Sequence, residues 1–247
     1  MRRGKIGFWY RLAICVVKPL LLVFVKRDWR GRENIPPTGK VIIATNHVGH
    51  VDPLTLAHFL YESGRLPRYL AKSELFRVPL IGRLVRGAEQ IPVYRYTADA
   101  TLALRDALGA LGRGECLAIY PEGTVTRDPQ GWPMLAKTGV ARLALATGAP
   151  VIPVAQWGPQ EILRPYTRLL RLLPRKTSQV LAGPPVDLSG YLGAEPTVEV
   201  LRDVTETIMG AVTALVAELR GAQPPASVFD PRTRTRVEAT TARRRSA

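Results

Sequence analysis

Cysteine, acidic residues and long uncharged apolar runs are all scarce in this chain of 247 residues. Its two cysteines, Cys15 and Cys116, lie far apart and form no Cys-x-x-Cys pair, so the sequence offers neither a disulfide framework nor a zinc site and fits a reducing compartment. The longest uncharged run near the N-terminus, residues 19–25, is too short for a membrane-spanning helix, which needs roughly 20 apolar residues. No small-residue cleavage site follows it, and a signal peptide is therefore a poor fit.

Positive charge is what the chain has in excess. Its 35 Lys and Arg residues outnumber its 20 Asp and Glu residues, which gives a formal net charge of +15. Residues 1–32 contain nine of these cations and one acid, Asp28, while the residues after Ala222 contain six arginines and two acids. Such a balance favours a polyanionic partner: nucleic acid, an anionic membrane or a phosphorylated substrate.

The N-terminal segment is apolar but interrupted. Residues 6–29 carry Arg11, Lys18 and Pro19 within an apolar background that includes clustered aromatic residues. Aromatic rings at the level of the lipid headgroups, with basic side chains on the phosphates, are typical of interfacial segments. We therefore predict that residues 1–27 form a kinked helical segment at a membrane surface. A helix packed on the domain's own core is the open alternative.

Strand and helix patterns alternate along the rest of the chain, which favours an α/β fold. The patterns predict strands at residues 40–45, 68–71, 91–94, 116–120, 151–155 and 179–182, and helices at residues 53–63, 98–111, 137–147 and 198–220. We expect a single domain over residues 28–221, with a central, mostly parallel sheet flanked by helices. Residues 222–247 lack a core pattern and are expected to form a disordered basic tail.

Two histidines and an aspartate follow the first strand of this domain, in the sequence NHVGHVD at residues 46–52. A neutral imidazole can remove a hydroxyl proton, and a carboxylate beside it fixes the tautomer and stabilises the imidazolium. A tight turn could bring His47 and Asp52 together for that purpose. Alternatively, Asp52 is only the N-cap of the next helix and His47 is a hydrogen-bonded loop residue. His50 is the rival base, because it lies two residues from Asp52.

This block and several later ones resemble the PlsC-type glycerolipid acyltransferases, a family that includes the 1-acylglycerol-3-phosphate acyltransferases. NHVGHVD matches the family's NHxxxxD signature, and KSELFRVPLIG at residues 72–82 is similar to its Lys-x-Glu-Leu-Phe-x-x-Pro stretch. Residues 87–95 resemble a block that ends in a substrate-binding arginine. YPEGT at residues 120–124 matches the aromatic-Pro-Glu-Gly-Thr block, and VIPV at residues 151–154 matches a proline-containing block. The blocks occur in the family's order over about residues 28–190.

The resemblance implies a role for each matched residue. His47 would be the general base that activates an acceptor hydroxyl, Asp52 would orient it, and the hydroxyl would attack an acyl thioester directly. The lack of a Gly-x-Ser-x-Gly sequence, the mark of serine nucleophiles in α/β-hydrolases, agrees with a route that has no acyl-enzyme. The residues expected to bind the acceptor or shape its phosphate pocket are Lys72, Arg95, Glu122, Gly123 and Thr124. Glu122 could also hold its own loop by accepting backbone N–H groups, which is compatible with substrate binding.

One position departs from the family. An arginine usually follows Glu-Gly-Thr, and here that position is Val125. Arg127, two residues on, is the candidate replacement at the same phosphate. Lys137, at the start of a predicted helix, is either a further phosphate ligand or a solvated lysine.

We accordingly expect a 1-acylglycerol-3-phosphate O-acyltransferase of phospholipid biosynthesis, associated peripherally with the cytoplasmic face of the cell membrane. Its partners would be a membrane lipid acceptor and acyl-CoA or acyl carrier protein as co-substrate, with no metal or other cofactor. Glycerol 3-phosphate and a phosphorylated glycolipid are the rival acceptors. A nucleic-acid-binding protein is disfavoured, because the charge is terminal and no helix-turn-helix, RNP or zinc spacing appears. A P-loop nucleotide hydrolase is rejected, because GWPMLAKT at residues 131–138 has Ala136 in place of the second glycine of that motif.

Overall fold

The computed structural model describes residues 7–93, 100–167 and 169–238. The strands in these ranges are β1 Val25–Arg30, β2 Val41–Thr45, β3 Pro67–Lys72, β4 Ile91–Val93, β5 Cys116–Ile119, β6 Val151–Trp157, β7 Lys176–Ala182, β8 Ser227–Asp230 and β9 Thr235–Glu238. The α-helices are α1 Phe8–Phe24, α2 Asp52–Glu62, α3 Ile81–Gly87, α4 Ala100–Gly112, α5 Gly139–Thr147, α6 Pro159–Ile162 and α7 Val198–Arg220.

Seven strands form one sheet, in the order β1-β7-β6-β2-β5-β3-β4. Neighbouring strands pair in parallel except β6 and β7, which pair antiparallel. Strands β1 and β7 therefore run against the other five. The predicted α/β domain with a mostly parallel sheet is confirmed.

Alternating residues of the central strands pack into two apolar layers, one on each face of the sheet. In β2, Ile42 and Ala44 join the layer that contains helices α4, α5 and α7, whereas Val41 and Ile43 join the layer that contains α2. Because both faces are covered, β2 is a continuous apolar run rather than an alternating one. The parallel strands β2, β3, β5 and β6 all end at the same edge, so the segments that follow them meet there.

Helix α1 continues past Pro19, where the sequence predicts a kink or break. It packs against α2, α3 and β1, and these tertiary contacts support the helix where proline weakens it. Trp9 lies directly over Gly87 of α3: a Cβ atom at Gly87 would stand 2.2 Å from the indole ring. None of the helices in the described ranges is long and apolar enough to cross a membrane.

Both predicted boundaries of the domain differ from the structure. Strand β1 begins at Val25 and pairs with β7, so residues 25–27 belong to the sheet rather than to the N-terminal segment. The tail is not disordered over residues 227–238, because β8 and β9 form an antiparallel hairpin. Phe229 of this hairpin is buried, and Arg236 Nη2 lies 2.5 Å from Asp128 Oδ2. These anchors are tertiary, so the local sequence pattern does not reveal them.

Glycine is required where β6 leaves the sheet. Gly158 has φ 101°, and a Cβ atom there would stand 1.9 Å from the carbonyl oxygen of Thr177. Gly148 also has positive φ, at 59°, but a Cβ atom there would meet no atom within 4 Å. Alanine substitutions at the two positions therefore distinguish backbone strain alone from backbone strain combined with a steric clash.

We expect Gly158→Ala to lower the free energy of unfolding by at least about 3 kcal/mol, because backbone strain and a clash with backbone combine. Gly148→Ala, the matched control, should cost only about 1–2 kcal/mol. Urea denaturation of both variants measures the difference. Equal losses would show that the Thr177 carbonyl does not restrict Gly158.

Candidate active site

The Asp52 carboxylate organises the turn between β2 and α2. Its Oδ2 atom accepts hydrogen bonds from the backbone N–H groups of Val48 at 2.6 Å and Gly49 at 2.8 Å, and lies 3.0 Å from His47 Nδ1. Asp52 is fully buried and is the first residue of α2, not its N-cap. Its carboxylate binds the preceding turn instead of capping the helix, because the turn folds back over it.

One ring nitrogen of His47 is hydrogen-bonded to Asp52, and the other can accept a proton. A carboxylate can only accept, so Nδ1 carries the proton that bonds Asp52. Nε2 is then left with its lone pair, and the ring lines a large cavity. The ring also packs on Tyr120, with 4.2 Å between centroids. Sequence reasoning predicted the pair of His47 and Asp52, and the structure brings the two side chains together.

A second carboxylate holds the backbone of His47. Glu122 Oε1 accepts from the backbone N–H of His47 and Oε2 accepts from that of Met134, both at 3.0 Å. The carbonyl of His47 accepts in turn from the backbone N–H of Thr126 at 2.7 Å. Burial raises the pKa of Glu122 to about 8, with the two backbone hydrogen bonds acting in the opposite direction. Glu122 is thus a buried link between loops, which fits the alternative raised for it from the sequence.

A buried polar network fixes the end of β2 to β6, and sequence reasoning missed it. Asn46 Nδ2 donates to the carbonyl of Gln156 at 3.0 Å, and the backbone N–H of Gln156 donates to Asn46 Oδ1 at 2.8 Å. The Gln156 side chain donates to Thr45 Oγ1 and to the Tyr120 hydroxyl, both at 3.3 Å. The signal was a glutamine inside an otherwise apolar strand, because a buried polar side chain needs partners.

The cavity that His47 lines has a volume of about 780 Å³ and is mainly apolar. Helix α1 covers it with Tyr10, Ile14, Val17 and Leu21, and α2 and α3 supply further apolar walls. Its size falls within the roughly 300–1,000 Å³ of small-molecule sites. The covering role of α1 was not expected from the sequence, which placed this segment at a membrane surface or on the core.

Apart from Lys18, which pairs with Glu62, two lysines together with a glycine-containing turn give the cavity a cationic region. Lys72 at the end of β3, Gly123 and Thr124, for which the sequence predicts a role in substrate binding, all line it. Lys137 lines it as well, and its Nζ atom lies 3.4 Å from where a Cβ atom of Gly123 would stand. Of the two interpretations left open for Lys137, its place in the cavity favours the phosphate ligand.

Other predicted residues are not brought into this cavity. Glu122 is buried and does not line the cavity. Arg127 lines a separate hollow of about 380 Å³ beside Val48 and Tyr166, and Val125 is buried between the two spaces and lines only the larger one. Arg127 therefore lines a different space from Lys72 and Lys137. Arg95 lies outside the described residues.

The remaining histidines differ from His47. His50 lines the cavity but is exposed, with its ring 6.4 Å from that of Tyr166. His58 lies against Trp29, with 4.9 Å between ring centroids, and burial lowers the pKa of His58 to about 4. His58 is therefore neutral near pH 7, as suits a structural residue.

Comparison with known proteins relates these features to a family. A family model described as Acyltransferase matches residues 26–157. The chain is 33% identical over 141 residues to a 1-acyl-sn-glycerol-3-phosphate acyltransferase of Borreliella burgdorferi. This alignment covers 57% of this chain and 54% of that protein. It is 33% identical over 131 residues to the protein of the same name from Bacillus subtilis, which covers 52% and 61% of the two chains. The chain thus spans about half to three fifths of the length of these curated relatives.

A solved structure shares the fold. The crystal structure of PlsC from Thermotoga maritima, a 1-acyl-sn-glycerophosphate acyltransferase, superposes with a TM-score of 0.65 at 23% sequence identity. The superposition covers 87% of this chain and 81% of that one.

The shifted pKa of Glu122 predicts a pH dependence of stability. A carboxyl group whose pKa rises from 4.5 to about 8 on folding binds more protons in the folded state, so its contribution to stability falls as pH rises between those values. Glu122→Gln has no such titration. We expect the stability of the wild type, relative to Glu122→Gln, to decline from about pH 5 to about pH 8. Urea denaturation across that range measures it, and a constant difference would contradict the shifted pKa.

Proposed function

This chain belongs to the Acyltransferase family, and from that premise we propose that it transfers a fatty acyl group from acyl-CoA or acyl carrier protein to the free hydroxyl of 1-acylglycerol 3-phosphate, giving phosphatidate. The observation that carries the proposal is His47, held through Nδ1 by buried Asp52 and lining a large apolar cavity. The two relatives named 1-acyl-sn-glycerol-3-phosphate acyltransferase support the choice of acceptor.

The proposed reaction is a direct transfer. His47 Nε2 takes the proton of the acceptor hydroxyl as its oxygen attacks the carbonyl carbon of the thioester. Asp52 stabilises the imidazolium that forms. When the tetrahedral intermediate collapses, the carbon–sulfur bond breaks, and the leaving thiolate takes the proton from Nε2. His47 returns to its neutral form, and no acyl-enzyme is formed.

We assign the acceptor phosphate to the cationic region of the cavity. Lys72 and Lys137 supply positive charge, and Gly139, the first residue of α5, lines the cavity together with Gly123. A helix N-terminus together with lysines favours a phosphate dianion. Arg95 is added to this set by the family resemblance alone. The apolar walls under α1 would hold an acyl chain.

We further propose that the protein acts at a membrane surface, on the cytoplasmic face. The side of α1 that faces away from the cavity exposes Phe8, Val16, Leu20 and Val23, with exposed fractions between 53% and 70%. An apolar helix face with basic neighbours is typical of interfacial helices. In this arrangement, lipid substrates would enter the cavity beneath the helix that rests on the bilayer.

The proposal is tested with purified protein in mixed micelles and radiolabelled palmitoyl-CoA, or palmitoyl carrier protein, as donor. Lysophosphatidate, glycerol 3-phosphate and a phosphorylated glycolipid are offered separately. We expect acylation of lysophosphatidate and a loss of about 100-fold to 10,000-fold in kcat for His47→Ala, the usual contribution of a general base. His50→Ala, the matched control in the same turn, should stay near wild type. An active His47→Ala with an inactive His50→Ala would contradict the assignment.

The phosphate assignment is tested with one cation from each space, Lys137 from the large cavity and Arg127 from the separate hollow. Lys137→Ala should raise KM for lysophosphatidate about tenfold, because a charge-assisted contact to phosphate is lost. Arg127→Ala should change KM less than about twofold, because Arg127 lines the separate hollow. Steady-state kinetics in mixed micelles measures both. The reverse pattern would move the phosphate site to Arg127.

A further inference from the structure

A second apolar surface lies outside the N-terminal segment. We call residues 163–167 and 169–175, the described residues between α6 and β7, the leucine loop; none of them is acidic. Tyr166, Leu169, Leu170 and Leu173 are 59%, 56%, 55% and 75% exposed. A group of large exposed apolar side chains this dense marks an interaction site rather than ordinary surface.

Backbone hydrogen bonds hold part of the leucine loop in a defined conformation. Leu163 and Leu170 form an antiparallel bridge. The backbone N–H of Arg171 donates to the carbonyl of Ile162 at 2.7 Å, and that of Thr167 donates to the carbonyl of Arg164 at 3.1 Å. In this conformation Leu169, Leu170 and Leu173 are exposed.

One end of the leucine loop is attached to α1. Leu172 packs into the small apolar cluster of Leu21, Val25 and Ile162. Arg175 Nη2 donates to the carbonyl oxygens of Leu22 at 2.9 Å and Val25 at 3.1 Å, at the C-terminal end of α1. The loop therefore lies beside the C-terminal end of the helix that carries the exposed apolar face.

The middle of the leucine loop is attached to the rim of the active site. The Tyr166 hydroxyl donates to the carbonyl oxygen of Val125 at 2.8 Å, and its ring is nearly perpendicular to that of His50. Val125 and His50 both line the large cavity. A surface on which this loop rests would thus be held close to the cavity.

We propose that the leucine loop is a second docking element for an anionic lipid bilayer. Leu169, Leu170 and Leu173 enter the acyl-chain region, while the exposed guanidinium groups of Arg164 and Arg171 contact lipid phosphates. The combination of exposed leucines with arginines and no acid matches a bilayer surface, where an apolar interior lies beneath negative phosphates. The inference rests on the proposed action at a membrane. It adds a second contact that, with α1, fixes the orientation of the cavity toward the lipid.

The test measures partition onto vesicles of phosphatidylcholine with phosphatidylglycerol by co-sedimentation. All variants are made in the His47→Ala protein, so turnover does not affect binding. We expect Leu169→Asp/Leu173→Asp to bind at least about tenfold more weakly, because two inserted apolar side chains are lost and two negative charges are added. Arg171→Glu should mainly lose the preference for vesicles that contain phosphatidylglycerol over vesicles of phosphatidylcholine alone.

The matched control is Leu192→Asp, which changes a leucine that is 70% exposed. Leu192 follows a short 3-10 helix, Ser189–Tyr191, that packs with the layer of α4, α5 and α7, on the other face of the sheet from α2. This variant should bind vesicles like the parent protein, and thermal unfolding should show all variants folded. Unchanged binding of the double variant, or an equal loss with Leu192→Asp, would overturn the proposal. If the double variant differs from the parent protein in oligomeric state without lipid, the loop is a contact between copies of the chain, and the proposal is overturned. Acyl transfer in micelles is measured separately, so failure of the proposed function can be distinguished from failure of the docking proposal.

Discussion

The buried carboxylate of Asp52 is the constraint on which the active site depends. One of its oxygens receives two backbone N–H groups and the His47 ring, so the turn NHVGHVD closes around it. A carboxylate buried without such donors would be strongly destabilising. The same contacts that make the burial tolerable also fix the tautomer of His47. Structural stability and the chemistry proposed for His47 therefore rest on one group.

Later parts of the chain reinforce that turn from the opposite side. Glu122 joins the backbone of His47 to that of Met134, and the next residue, Leu135, donates its backbone N–H to the carbonyl of Phe229 in the C-terminal hairpin. Arg220 lies between the rings of Trp132 and Trp157, 4.0 and 4.2 Å from their centroids. The loop after the Glu-Gly-Thr sequence is thus held by the end of α7 and by the hairpin. These contacts position the cavity wall without touching the cavity.

The local sequence pattern predicted the elements that are determined by residues close together in the chain. Helix α7 has the predicted bounds, residues 198–220, because its apolar periodicity and the glycine that ends it, Gly221, lie in one continuous segment. The pairing of His47 with Asp52 was also accessible, since a turn of five residues and the family signature agree. The hairpin was not, because Phe229 and Arg236 find their partners far away in the chain. The position of Arg127 was not accessible for a similar reason: the sequence places it two residues from Val125, but only the backbone path shows that it lines a different hollow.

The central claim is that Asp52 holds His47 with its proton on Nδ1 and a free lone pair on Nε2, at the wall of an acyl-binding cavity. Nitrogen NMR of protein labelled at histidine measures this directly, with His47→Ala used to assign the signal. The account predicts that neutral His47 is the Nδ1–H tautomer in the wild type, and that Asp52→Asn disturbs this preference. A wild-type His47 protonated on Nε2 would contradict it, because that ring could not accept a proton from a hydroxyl in the cavity.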